Sequence, residues 1–186
     1  MTLKTDLERI VTGEVATDRE TTERASTDAS IFRIRPRAVV YPRSSADIQT
    51  LVRFVTFGDT RSVVHSPSDQ AIHPTSGTDR VKENVRKLPL SLTVRSGGTD
   101  MTGGPLSSSI VIDVARHLTG ITKITTNSIT TLAGTPFRDI ESALTDHHLL
   151  YPAYPASKAT ATIGGMVANN AGGELSLRYG QADRYV

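Results

Sequence analysis

Thr93-Val94-Arg95-Ser96-Gly97-Gly98-Thr99-Asp100-Met101-Thr102-Gly103-Gly104-Pro105 is the stretch on which the reading of this chain turns. Four glycines and several small hydroxyl residues follow directly on Leu90-Ser91-Leu92-Thr93-Val94-Arg95, whose alternation predicts a strand. A turn of this composition can point successive backbone N–H groups inward and make a concave nest for phosphate oxygens. Glycine matters there because a Cβ would block close approach and disfavour positive φ values. Two better-known phosphate loops do not fit. A Walker A loop starting at Gly98 would have Gly103 in register, but Gly104 stands where lysine is required. A dinucleotide fingerprint opens a helix, whereas Pro105 and Ser107-Ser108-Ser109 lead into Ile110-Val111-Ile112-Asp113-Val114, a buried run that reads as the next strand. The stretch is thus a strand–loop–strand nest and not a Rossmann element. Taken alone, a glycine-rich hairpin turn fits it equally well.

A second stretch runs Tyr151-Pro152-Ala153-Tyr154-Pro155-Ala156-Ser157-Lys158-Ala159-Thr160-Ala161-Thr162-Ile163-Gly164-Gly165-Met166-Val167-Ala168-Asn169-Asn170-Ala171-Gly172-Gly173. Its small residues allow a flat group or another backbone to approach closely. Asn169 and Asn170 supply amide donors and acceptors suited to a heterocycle or a carbonyl. The plainer alternative is a tightly packed small-residue helix ending at a Gly172 cap.

Working outward, Ala38-Val39-Val40-Tyr41 is a short apolar run stopped by Pro42 and predicts a strand. Ser44 or Ser45 offers an N-cap for a helix with Ile48, Leu51, Val52 and Val55 as its expected buried stripe. Ile121–Thr125 and Ser128–Ala133 resemble a hairpin around Asn127. Pro136 suits the first turn of a helix carrying Phe137, Ile140 and Leu144 on one face. Residues 1–34 are expected to be a solvated lead-in, because residues 1–30 hold seven acids and four bases with little apolar surface. Residues 58–89, broken by Gly58, Pro67, Pro74, Gly77 and Pro89, read as an insertion, more as decoration than as a lid. His65 and His73 there are read as solvated, and His147-His148 as a surface pair. The order of short strands and occasional helices is α+β.

Composition narrows the function classes. A chain of 186 residues can bury roughly 70% of its unfolded surface without a metal or disulfide staple. The net charge of +2 is dispersed and only nine aromatic residues are present, which argues against a nucleic-acid surface. With no cysteine there is no disulfide, thiolate nucleophile or Cys-ligated cluster, and no metal site is expected. The start lacks the apolar core of a signal peptide, and no run approaches the 18 apolar residues of a membrane span. The default expectation is a cytoplasmic protein.

Together the two glycine-rich stretches resemble the FAD-binding domain of the vanillyl-alcohol oxidase/p-cresol methylhydroxylase (PCMH-type) family, in its glycolate oxidase and D-lactate dehydrogenase branch. Arg95 to Gly104, Ile110 to Asp113 and Pro155 to Gly173 match that family's motifs in order and spacing, and Arg178-Tyr179-Gly180 and Asp183-Arg184-Tyr185-Val186 look like its continuation. The resemblance covers about residues 35–57 and 90–186. It implies two small α/β subdomains forming an FAD-binding domain over residues 35–186. It also implies that Ser96, Gly97, Gly98, Thr99, Asp100 and Met101 cradle the FAD pyrophosphate, with Arg95, Gly103 and Gly104 also among the cofactor-binding residues. Pro155, Ala156, Ser157, Thr162, Gly164, Gly165, Asn169 and Gly172 would line the flavin with its ribityl and phosphate groups. Some relatives carry a histidine linked to the flavin where Thr99 stands, so noncovalent FAD is expected. The implied reaction is oxidation of a small 2-hydroxy acid such as D-lactate or glycolate. Family members continue past the position of Val186, so the chain is expected to be incomplete there, the substrate domain and catalytic base lying in a missing C-terminal domain or a partner chain. Two alternatives stand beside this: the related cell-wall precursor reductase, whose loops differ, and a truncated non-catalytic nucleotide-binding remnant or split subunit.

Overall fold

The computed structural model describes residues 2–58 and 90–186. The expected insertion therefore lies outside the described residues apart from Gly58 and with it His65 and His73.

Its first unit is a four-stranded sheet in the order β1-β2-β4-β3, from β1 (Glu14–Ala16), β2 (Ala38–Tyr41), β3 (Leu92–Arg95) and β4 (Ile110–Asp113). β1 runs antiparallel to β2, while β2, β4 and β3 are mutually parallel. Parallel neighbours need a crossover of a dozen or so residues, and the 96–109 segment provides it between β3 and β4 without a helix. That is why the glycine-rich stretch is a loop standing at the C-terminal end of the sheet. The register sets Arg95 beside Asp113 at this end.

Alternation along the strands divides the sheet's two faces. Ala38, Val40, Ile110 and Ile112 pack with Leu51 and Phe54 of α3 (Ser45–Phe57) and with Leu7 of α1 (Leu3–Glu8). Val39, Tyr41 and Val111 face the other way, toward Ala25, which closes α2 (Arg19–Arg24). Each fully buried Leu, Ile or Phe contributes about 1.5–3 kcal/mol. Ser44 caps α3 as expected, its hydroxyl accepting the Asp47 N–H at 3.4 Å, and Gly58 ends it in the left-handed conformation. The buried stripe is rotated from the expected one. Asp47, Thr50, Leu51 and Phe54 are buried, whereas Val52 is 49% exposed. Asp47 turns inward because its carboxylate accepts the Thr12 and Arg43 N–H groups at 2.8 and 2.9 Å.

The opening segment is not a solvated lead-in. Leu7 is fully buried, Val11 joins the same core, and β1 adds an edge strand to the sheet. Most of its charges are solvent-facing, though Asp6 is buried beside Leu7, which is why charge counting hid the inner face.

The second unit pairs the hairpin of β5 (Ile121–Ile124) and β6 (Ile129–Thr131) with α4 (Phe137–Asp146) and α5 (Ile163–Ala168). Phe137, Ile140 and Leu144 are buried as expected, with Ala161, Met166 and Ala171. Pro136 sits at the N-cap of α4, one place earlier than anticipated. α5 ends at Asn169 and not at Gly172. The chain closes with α6 (Ser176–Tyr179) and a 3-10 turn at Ala182–Arg184. His147 and His148 are both exposed. The architecture is α+β with three buried hydrophobic clusters, and no described helix is long and apolar enough to cross a membrane.

Candidate functional site

The two glycine-rich stretches meet, bringing together residues 66 positions apart in sequence. The Ser96 and Thr162 hydroxyls form a very short hydrogen bond between the loop after β3 and the N-cap of α5. One residue on, a Cβ added at Gly97 would lie 2.6 Å from the Thr160 carbonyl oxygen, so the loop backbone lies directly on the turn before α5. Gly165 completes the junction: a Cβ there would reach 3.3 Å from the Ser96 hydroxyl. Gly164 is packed likewise against the Ala133 carbonyl, at 2.6 Å.

Within the loop, Gly98 adopts φ +65°, a conformation that side chains disfavour. A Cβ at Gly98 would sit 2.6 Å from Arg95 Nη2, so the guanidinium is folded back over the bare glycine. Among the described residues Arg95 Nη1 is buried and has no hydrogen-bond partner, which is costly for a cationic donor. Asp100 organises the second half of the loop, accepting the Gly104 N–H at 2.6 Å and the Thr102 hydroxyl at 2.8 Å. Partial desolvation raises its pKa, but the bonds from Thr102 and Gly104 outweigh that and hold it below the ordinary carboxylate range. Met101 stays 78% exposed at the loop's tip.

Beside the loop an open cleft of about 420 Å³ is bounded by Arg95 and Ser96, by Thr21 and Arg24 of α2, and by Tyr41, Asp113 and Arg116. The Arg116 guanidinium stacks 3.9 Å from the Tyr41 ring centroid and is held from the far side by Glu14, which also accepts from His117 at 3.1 Å. Burial raises the pKa of Asp113 above the carboxylate norm, opposed by the Ala115 N–H and by the charges of Arg95 and Arg116. The cleft is positive, with planar groups on its walls. Among the described residues no three His, Asp or Glu side chains gather as metal ligands.

The expected residues are therefore not all brought together. Arg95 to Gly104 form one continuous loop, and Thr162, Gly164 and Gly165 adjoin it. Pro155, Ala156 and Ser157 form the turn leading to Thr160, where Ser157 accepts the Thr160 and Ala161 N–H groups at 2.9 Å each. Asn169 and Gly172 lie beyond the other end of α5, roughly 9 Å along a six-residue helix. There Gly172 packs against Gln181 and Ser176. Sequence reasoning overlooked the cleft walls Arg24, Tyr41 and Arg116. It also overlooked the turn around Thr27-Asp28-Ala29-Ser30, whose Asp and Ser signal was visible.

Comparison with known proteins bears on this geometry. The FAD binding domain family matches residues 69–186, more than half of the chain. The D-2-hydroxyglutarate dehydrogenase of Haemophilus influenzae is 24% identical over 176 residues, 94% of this chain. The D-lactate dehydrogenase of Archaeoglobus fulgidus is 34% identical over 106 residues, 55% of this chain and 23% of that enzyme. This chain spans 14% of the Haemophilus enzyme's length. In structure it is similar to 6-hydroxy-D-nicotine oxidase from Arthrobacter nicotinovorans, with a TM-score of 0.66 at 20% identity over 94% of this chain and 32% of that one. That likeness shows the fold.

Proposed function

The chain belongs to the FAD binding domain family, and on that premise we propose that it is the cofactor-holding portion of a flavin oxidoreductase that oxidises a small 2-hydroxy acid. The observation that carries the proposal is the junction of Ser96 and Gly97 with Thr162 and Thr160, which puts both motif stretches around one space. The residues present fit the cofactor. A glycine-rich loop with Gly98 at φ +65° and the Arg95 guanidinium beside it is what a pyrophosphate needs from a binding loop.

In this assignment Ser96 to Met101 hold the pyrophosphate through backbone N–H groups and hydroxyls, with Arg95 as the counter-charge. Gly103 and Gly104 close the loop behind them. Thr162, Gly164 and Gly165 line the ribityl and flavin side, with Pro155, Ala156 and Ser157 on the adjoining turn. Asn169 and Gly172 shape the far end of α5. Thr99 has no nucleophilic nitrogen, so FAD is held noncovalently. FAD held here would supply the hydride-accepting chemistry, while the polypeptide binds and orients it and excludes water from it. The substrate reading rests on relatives named for D-2-hydroxyglutarate, D-lactate and glycolate, all 2-hydroxy acids. No described residue is assigned as the base that takes the hydroxyl proton. That base and the groups that grip the substrate carboxylate are proposed to come from a further domain or a partner chain.

The experiment is dye reduction by the longer protein, supplied with D-2-hydroxyglutarate, D-lactate or glycolate and their L-enantiomers where these exist. Reduction of the dye with at least one of these acids supports the proposal. A protein that carries FAD and turns over none of them refutes the substrate class. Acid precipitation tests the linkage: the yellow chromophore goes to the supernatant, and colour retained in the pellet refutes noncovalent binding.

A further inference from the structure

Residues 19–34 face one end of the cofactor loop across the cleft and meet its other end. At the first end, α2 places Thr21 and Arg24 in the cleft with Arg95 and Ser96. At the other, the Asp28–Phe32 turn lies against Gly103, where a Cβ would sit 2.9 Å from the Phe32 ring and 3.6 Å from the Ser30 hydroxyl.

The turn is built to keep Phe32 there. Asp28 Oδ1 accepts the Ser30 N–H at 2.8 Å, and the Ser30 hydroxyl accepts the Phe32 N–H at 3.1 Å. Its flanks are closed by the Thr27–Arg33 bridge, by the Ile34 N–H donating to the Ser26 carbonyl at 2.9 Å, and by an ion pair from Arg33 to Glu23 of α2. Phe32 itself remains 52% exposed and belongs to none of the hydrophobic cores. A half-exposed aromatic ring seated on a loop glycine adds little to the stability of the fold; its contact is with the loop.

We propose that Phe32 is a positioning residue for the cofactor loop, holding the Gly103–Gly104 end in place while the Ser96–Thr162 bond holds the other. The N–H groups between these anchors then keep their arrangement before any ligand arrives. Ordering a loop in advance raises affinity without adding a contact, because the ordering cost is not incurred on binding. The affinity consequence rests on the FAD reading above; the ordering consequence does not.

The test compares the full chain with Phe32→Ala, Phe32→Leu and the neighbouring control Ile31→Ala, whose side chain is 96% exposed. Two quantities are read: amide hydrogen exchange without ligand, and the dissociation constant for FAD. Phe32→Ala is expected to exchange roughly tenfold faster at the Gly104 and Leu106 amides, which donate to Asp100 and to the Gly103 carbonyl, with β2 and β4 unchanged. It is also expected to bind FAD roughly tenfold more weakly. Phe32→Leu restores most of both, and Ile31→Ala behaves as the unaltered chain. Unchanged exchange at Gly104 and Leu106, or acceleration spread equally over β2 and β4, overturns the positioning role. If the loop alone loosens while the unaltered chain has no affinity for FAD, the positioning role stands and the cofactor assignment falls.

Discussion

Replacing Gly97 with alanine is the smallest change that separates the two halves of the site. The added methyl would lie 2.6 Å from the Thr160 oxygen and 3.6 Å from Ala161 Cα, against an ordinary contact of 3.4–4 Å. Both neighbours are backbone, so neither rotates away. The loop and the turn must part by ~1 Å, a movement sufficient to break the Ser96–Thr162 bond. Strain of this kind costs about 1–3 kcal/mol in a packed interior. The free chain can relieve it by letting the loop lift from the turn, so the apo melting temperature should fall by only a few degrees. With ligand bound, both halves must close on one molecule and the strain returns. The FAD dissociation constant should therefore rise roughly 10- to 100-fold. Titration by quenching of flavin fluorescence, with melts in the absence of FAD, separates the two effects. An affinity within threefold of the unaltered chain would show that the two stretches need not touch to bind the cofactor.

Gly98→Val imposes a β-branched side chain at φ +65° and drives it into Arg95, so FAD binding should be abolished with a smaller loss of apo stability; unchanged affinity removes the loop from the site. Leu7→Ala empties a fully buried position beneath the sheet and should cost about 2–5 kcal/mol by denaturant unfolding, whereas a loss below about 1 kcal/mol would return the opening segment to the surface. Asp113 has a folded pKa raised by burial, so its fold-stabilising protonated form prevails below the unfolded value and that contribution is lost as pH rises through the folded one. Asp113→Asn keeps the bond from Ala115 and should gain stability relative to the unaltered chain between pH 3 and 7; a relative loss over that range would mean that attraction to Arg95 and Arg116 outweighs burial.

The elements with a clean period were readable from the residues. Ala38–Tyr41, Ile110–Asp113 and the Phe137, Ile140, Leu144 face were placed correctly because their apolar spacing has one interpretation. The α3 stripe was misjudged by one position. A carboxylate on a helix is read as solvent-facing, yet Asp47 is drawn inward by the Thr12 and Arg43 N–H groups, and residue 12 is too distant in sequence for any local pattern to report. The opening segment failed for a related reason. Leu7 and Val11 are two apolar residues among charges, and only the sheet's need for cover makes them core. In the site, the glycine-rich loop was expected from its composition and Thr162 from the resemblance, whereas the contacts of Ser96 with Thr162 and of Gly97 with Thr160 were not foreseen, because they depend on how the fold brings the two stretches together. Arg116, Tyr41 and Phe32 were not found, because each is an ordinary side chain that matters only through what the fold sets beside it.

The central claim is that the loop from Ser96 to Met101 takes the FAD pyrophosphate against the Thr162 end of α5. A crystal structure of the protein with FAD tests this most directly. The account predicts pyrophosphate oxygens at hydrogen-bonding distance, about 2.7–3.2 Å, from backbone nitrogens of residues 97–101, with the Arg95 guanidinium paired to one of them. A pyrophosphate seated elsewhere, out of reach of those nitrogens and of Arg95, would contradict it.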